Sequence, residues 1–372
     1  MTSSFVYLLP EKKESMIEKR ITGIQQIGIG VKNLNEAWKW YKKAFGMDVR
    51  VFEDDAVAEL MLPYTGGEPR KRHAALAFNI QGGGGFEIWQ YKGRIPKAAA
   101  FSLQVGDLGI FAAKVKSKNI RNSFQELSDA GVSIPGGLVT APNGKEHFFV
   151  KDPFNNIFDV VEGNSWFHDD KKHGGGTYGA IIGVSNIELA RRVYSGILGY
   201  DQIEYDITGE FGDLYKIPGG TGKFRRILLS HSLKRSGGFS RLFGDSKIEL
   251  IQALDRQPEY IFKNRLWGDL GFIHLCFDIQ GMKELKKECT EKGFPFTVDS
   301  EVKSGESFDM GEAAGHFSYI EDPDGTLIEF VETHRVPILK KLGISINMTK
   351  RDPLKNLPDW LVKGMRFNRF KG

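Results

Sequence analysis

Two stretches of this chain spell the same phrase, GHFSYIEDPDGTLIEFVE at 315–332 and HFFVKDPFNNIFDVVEG at 147–163, with Asp159 standing where the later copy has Glu329. Each reads as two short strands joined by a tight turn. In Asp322-Pro323-Asp324-Gly325 the proline presets one backbone angle and the glycine accepts a positive one. The Glu329 carboxylate is set among Leu327, Ile328, Phe330 and Val331, a costly place unless it is paired or bound to a metal. A phrase of this length used twice marks a repeated building block.

A second pair confirms the period. Residues 31–48 align without a gap against 184–201, sharing Val, Asn, Ala, Tyr, Gly and Asp. The chain is therefore two halves of two units each, running over about 23–91, 108–162, 177–253 and 271–332. In unit one Ile27, Ile29 and Val31 alternate with small or polar positions, as in a half-buried strand. A helix follows, with Asn35 as its expected cap, Ala37, Trp40, Tyr41, Ala44 and Phe45 as its apolar face, and Gly46 as its left-handed stop. Helices are expected over 120–129 and 282–292, each stopped by a glycine. Every unit is predicted to run strand, helix, then strands. The glycine run 174–176 reads as a linker between the halves, and 82–85 as a flexible turn, since no GK[ST] follows it.

A chain of 372 residues, 41% hydrophobic and 26% charged, suits about two globular domains. The expected layout is a lead at 1–22, a first domain at 23–165, a second at 177–333 and a basic extension at 334–372. No apolar run approaches the roughly 20 residues that span a bilayer, and the lead lacks the order of a secretory signal, so a cytoplasmic protein is expected. Cys276 and Cys289 form no zinc-type spacing, which points to reduced thiols and no disulfide frame. The extension carries ten Lys or Arg against two Asp. That charge suits an anionic partner or a solvated segment wrapped on the body. The apolar residues Ile338, Leu339, Leu342, Leu357, Trp360, Leu361, Met365 and Phe367 favour wrapping, and no nucleic acid or membrane partner is expected.

The stretches IQQIGIGVKNLNEAWKWYKKAFGMD and DPDGTLIEFVE, with weaker copies in units two and three, resemble the vicinal oxygen chelate superfamily of glyoxalases, bleomycin-resistance proteins and extradiol dioxygenases. The resemblance covers roughly 23–332. It implies an α+β fold of four βαβββ units paired into two cupped mixed β-sheets with helices outside. In metal-binding members a unit offers one ligand early in its first strand and a carboxylate in its last. Carried over, these positions are Gln26, Ile110, Gly179 and His274, and Glu87, Asp159, Glu249 and Glu329.

The ligand set depends on which units pair. If unit one cups against unit four, Gln26, Glu87, His274 and Glu329 form the set found in glyoxalase I, and Ile110, Asp159, Gly179 and Glu249 form a site that is empty or structural. If units three and four pair, the set is Glu249, His274 and Glu329, with Gly179 blank. The first arrangement uses every good donor. Mixed nitrogen and oxygen donors admit one divalent ion: zinc, nickel, cobalt, manganese or iron. The resemblance then implies a lactoylglutathione lyase-like or epimerase-like enzyme acting on a small α-hydroxy carbonyl or thioester through an enediolate, with Glu329 or Glu87 moving the proton. Gly179, where a histidine would stand, speaks against the alternative of a non-haem iron dioxygenase. A metal-free, bleomycin-resistance-like binding protein is the remaining alternative. The partner expected is a small-molecule substrate, and the chain a monomer or homodimer. Arg70, Lys71, Arg72, Arg225 and Arg226 read as solvated hairpin charges or as anion contacts at the mouth of a cup. His168 and His173, beside Asp169 and Asp170, read as polar linker.

Overall fold

The computed structural model describes residues 18–301, 308–309, 314–339 and 344–372; positions 1–17 of the expected lead and the tail's Leu342 lie outside them, as do the side chains of Ile338 and Leu339. Unit one comprises β1 (Arg20–Gly30), α1 (Leu34–Phe45), β2 (Val49–Ala58), β3 (Arg70–Phe78) and β4 (Gly85–Tyr91). Unit two follows with β5 (Gly109–Ser117), α2 (Ile120–Asp129), β6 (Val139–Thr140), β7 (Glu146–Lys151) and β8 (Ile157–Glu162). Unit three has β9 (Gly174–Gly183), α3 (Ile187–Tyr194), β10 (Gln202–Gly209), β11 (Phe224–Ser230), a short α4 (Ser240–Phe243) and β12 (Lys247–Ala253). Unit four has β13 (Gly271–Gln280), α5 (Met282–Glu291), β14 (Val298–Asp299), β15 (Phe308–Asp309), β16 (Ala314–Glu321) and β17 (Leu327–Leu339). The tail adds β18 (Ile344–Asn347) and α6 (Asp359–Gly364).

Local chemistry sets the helix ends. Helix α1 is capped by Asn33, two residues before the expected Asn35: its extended backbone lets the side chain accept the Glu36 N–H at 3.2 Å. Asn119 and Asn186 cap α2 and α3 in the same way. Gly46 closes α1 at φ 62°, in the left-handed region. The buried stripe of α1 is Leu34, Ala37, Trp38, Tyr41 and Phe45. Trp38 fills the core, and the expected Trp40 packs only at its edge.

In every unit the last strand lies parallel beside the first, and units join through their first strands. β1 runs antiparallel to β13, so unit one pairs with unit four in the order β14-β16-β17-β13-β1-β4-β3-β2, with β15 beside β16 and β18 beside β17. β5 runs antiparallel to β9, giving the second sheet β10-β11-β12-β9-β5-β8-β7-β6 from units two and three. This is the expected α+β fold of paired units. Strand alternation assigns the two faces. Ile27, Ile29, Phe86, Ile88, Leu275, Phe277, Ile328 and Phe330 join one core with Ala180, Ile182, Leu229 and Leu250 of the other sheet and with α1 and α3. The residues between them face the cup.

The repeated Asp-Pro turns tie the sheets together. Asp322 Oδ1 accepts the backbone N–H groups of Asp324 and Thr326 at 3.0 and 2.8 Å, while Oδ2 accepts Tyr194 OH from α3 at 2.9 Å. Asp152 accepts Tyr41 OH from α1 in the same manner, also at 2.9 Å. Each clasp joins a helix of one sheet's unit to a turn of the other's. Burial pushes the Asp322 carboxyl up to about 6.

The glycine runs are packed crossings, which corrects their reading as a loose turn and a linker. A Cβ on Gly82 would stand 1.9 Å from the Gly175 carbonyl oxygen, and one on Gly83 1.7 Å from that of Leu242. Only hydrogen side chains let these backbones meet. The tail docks: Phe370 stacks on Trp38 at 4.1 Å, its N–H bonds Asp48 O at 2.8 Å, and Leu357 N–H bonds Gly238 O at 2.8 Å. Leu357 is buried and Leu361 and Met365 pack beside it, whereas the expected anchors Trp360 and Phe367 are 68% and 83% exposed. Both cysteines are free and buried. No helix among the described residues is long and apolar enough to cross a membrane.

Candidate metal centre

The pairing of β1 with β13 brings Gln26, Glu87, His274 and Glu329 into one cup. Gln26 lies on β1, which has β4 with Glu87 on one side and β13 with His274 on the other; Glu329 follows on β17. One ligand atom each from Glu87, His274 and Glu329 lies within 4.8 Å of the others. His274 Nε2 is 3.1 Å from Glu329 Oε2 and 3.2 Å from Glu87 Oε2, and Gln26 Nε2 donates to Glu329 Oε2 at 3.4 Å. Glycine at position 28 makes the space: a Cβ there would stand 2.4 Å from His274 Cε1. Aromatic rings fix the imidazole, with Trp267 parallel to it at 6.2 Å and Tyr319 edge-on at 5.7 Å.

All four side chains are buried or nearly so, from 0% exposure for His274 to 9% for Glu87. Burial alone would strip the imidazole of its proton. Glu329 first, and Glu87 with it, outweigh that and hold the His274 pKa up to about 10. His274 in turn draws Glu329 below its ordinary value against the effect of burial. Two buried carboxylates thus face one cation, and the polar atoms remain incompletely served: among the described residues, Gln26 Oε1 and both His274 nitrogens find no well-angled hydrogen bond. Donors about 2.1 Å from a common ion lie roughly 3.0–3.4 Å apart, the spacing seen between Nε2 and the two carboxylates. The residues fit a divalent ion.

The cup opens into a cleft of about 350 Å³ over β2, β3 and β16, walled by Phe52, Leu60, Met61, Leu76, Phe317 and Val331, with Arg72 and Asp54 at one side. Arg72 is not free: it pairs with Asp54. Arg70 pairs with Glu68, and Arg225 with Asp206 and Glu188. His168 and His173 stay in the linker region beside Asp170 and Glu126.

The second sheet holds the matching position, filled differently. Register places Ala112, not Ile110, at the position equivalent to Gln26, because Ala112 faces Ile181 as Gln26 faces Cys276. Ile110 sits two residues further out, an error of one strand period in reading β5. Where Gly28 faces His274 in the first sheet, Lys114 faces Gly179 in the second. Lys114 Nζ reaches Asp159 Oδ2 at 2.6 Å and Glu249 Oε2 at 2.8 Å. Around it His147 Nδ1 lies 2.7 Å from Asp159 Oδ1, Tyr205 OH donates to Glu249 Oε1 at 2.8 Å, and Arg226 bridges Glu249 and Asp213. Arg226 is therefore a core residue, neither hairpin charge nor mouth contact. Asp159, Glu249 and Gly179 form no donor set of their own here, since an ammonium occupies the middle. The alternative set Glu249, His274 and Glu329 is not assembled, because Glu249 belongs to the other sheet. Lys114, His147, Asp213 and Tyr205 escaped the sequence reading; the pair Lys114 and Lys116 inside an apolar strand was the available signal.

Comparison with known proteins agrees with this fold. Residues 23–160 match the family model of the Glyoxalase/Bleomycin resistance protein/Dioxygenase superfamily. A single-site mutant of glyoxalase I from Zea mays superposes with a TM-score of 0.52 at 13% identity, covering 85% of this chain and 93% of that one. A Bacillus subtilis protein assigned as a dioxygenase does so at 0.52 and 13%, covering 84% and 86%. No curated protein matches. At such identities the superpositions speak for the fold alone. The family model thus matches the first two units, and the superposed structures show the same fold continued through the rest of the chain.

Proposed function

We propose that the protein is a metal-dependent lyase or isomerase, similar to glyoxalase I in its ligand set, that moves a proton at the carbon beside a carbonyl. The observation that carries this reading is the convergence of Glu87, His274 and Glu329 within 4.8 Å, with Gln26 beside them. When bound, a divalent ion would hold two oxygens of an α-hydroxy carbonyl or thioester and acidify the adjacent C–H. The chain's own groups do the rest. His274, locked between Trp267 and Tyr319, keeps its nitrogen aimed at the centre. Glu329 is tied by His274, Gln26 and the Tyr319 and Cys276 side chains. Among the described residues Glu87 pairs with His274 alone. Glu87 is thus the carboxylate freer to leave its partner, take the substrate proton and return it, while the apolar cleft walls keep bulk water from competing. The cluster holds one histidine among the described residues, which differs from the two-histidine, one-carboxylate set of non-haem iron oxygenases.

The test compares the ion content of the parent with that of Glu87→Ala and Glu249→Ala, followed by solvent deuterium uptake at the α-carbon of an α-hydroxy ketone. Close to one ion per chain, lost with Glu87→Ala and kept with Glu249→Ala, together with metal-dependent uptake, is expected. No ion in any of the three would leave a binding cup without metal chemistry.

A further inference from the structure

The cleft above the centre differs from what an anionic peptide-thiol adduct requires. Phe52, Leu60, Met61, Leu76 and Phe317 make its walls, and Arg72 is the sole cation among its described lining residues. That guanidinium is already committed to Asp54 through both nitrogens, with Nη2 3.4 Å from Oδ2, and it also donates to the Asp54 carbonyl at 3.3 Å. Glu59 at the rim adds a further negative charge. The wall around a substrate's body is therefore apolar with a net negative edge. A carboxylate placed there would either lose its water without gaining a partner or have to break the Arg72–Asp54 pair.

From this charge distribution we infer that the substrate is a compact oxygen chelator with an uncharged, apolar body, branched or aromatic, in place of a glutathione-type adduct bearing free carboxylates. The inference rests on the metal-centred reading above and narrows it to one substrate class. The oxygens of the head face Glu87, His274 and Glu329, and the body lies along β2 and β3 against Phe52 and Leu76. Arg72 and Asp54 act as a specificity pair, refusing an anionic tail by satisfying each other.

The experiment is calorimetric titration of the zinc-loaded full chain with benzohydroxamic acid and with para-carboxybenzohydroxamic acid, ion content being measured on the same sample. The neutral probe is expected to bind at least about tenfold tighter. In Asp54→Ala, which frees Arg72, the preference should shrink or reverse. Equal or tighter binding of the carboxylate probe by the parent overturns the assignment and leaves the metal centre standing. Failure of both probes on a sample that carries its ion also overturns the assignment alone. A sample that takes up no ion overturns the centre and the assignment together.

Discussion

Replacing Lys114 with methionine keeps the length and apolar stem of the side chain and removes one charge from a buried cluster. In that cluster Lys114, Arg226 and His147 face Asp159, Glu249 and Asp213. The Glu249 carboxyl is drawn from 4.5 down to about 2, by Arg226 first and Lys114 next, against its own burial. A displacement of that size corresponds to about 3 kcal/mol of preference for the ionised form. Removing one partner of a buried pair costs on the order of 3–5 kcal/mol. The sign with pH follows from the direction of the shift. A carboxyl held below its unfolded value stabilises the fold above about 4.5 and loses that contribution as pH falls toward about 2. The parent network therefore survives mild acid. In Lys114→Met, Asp159 and Glu249 keep His147 and Arg226 as counter-charges but lose the ammonium between them, so the pair takes up a proton more readily and the deficit shrinks as the pH is lowered from about 7 to about 5. Denaturant unfolding followed by tryptophan fluorescence at both pH values reads this directly. A variant with the parent's midpoint at both pH values would refute the reasoning, because it would mean the ammonium contributes no net stabilisation.

Four further outcomes are expected. Gly28→Ala puts a Cβ 2.4 Å from His274 Cε1, so the imidazole must swing away; circular dichroism should stay folded at a cost of about 1–3 kcal/mol while ion affinity drops at least about tenfold. Ion binding must expel the proton that His274 holds with a pKa of about 10 in the metal-free protein, so calorimetry at neutral pH in buffers of different ionisation heat should count close to one proton released per ion. Without metal the His274 ion pairs stabilise the fold fully below about 6.5 and fade as pH rises through about 10. Phe370→Ala removes the ring stacked on Trp38 and should cost about 3–5 kcal/mol, with faster proteolysis in the C-terminal extension as the sign that the tail has lifted; unchanged proteolysis would refute tail docking as its role.

The fold was legible because its periodicity is written twice, in the Asp-Pro phrase and in the Val-x-Asn helix entry, and strand alternation then decided which residues faced a cup. The approach of Gln26, Glu87, His274 and Glu329 follows from the pairing of first strands, which local sequence does not encode; the pairing of unit one with unit four is the arrangement that gives every good donor a use. The second cup was legible as an empty or structural site, but what fills it was not, for a physical reason. A lysine in a strand interior is read as a surface residue, and only the register that sets Lys114 opposite Gly179 reveals that its ammonium lies between two carboxylates. The Asn35 cap and the Trp40 face erred by two residues each, within the first turns of one helix, where several polar and aromatic residues compete for the same role.

The partnership of the first unit with the last also orders events in time. About 240 residues separate the end of β1 from the start of β13. At roughly 5–20 residues per second, a ribosome holds β1 without its neighbour for something like 10–50 s. Through that interval the edge bearing Ile21, Ile24, Ile27 and Ile29 has no strand beside it, while units two and three can already close their own sheet. A nascent chain that stalls between units three and four would carry a finished lysine-centred cup and an open, aggregation-prone strand, and none of its carboxylates could meet the histidine.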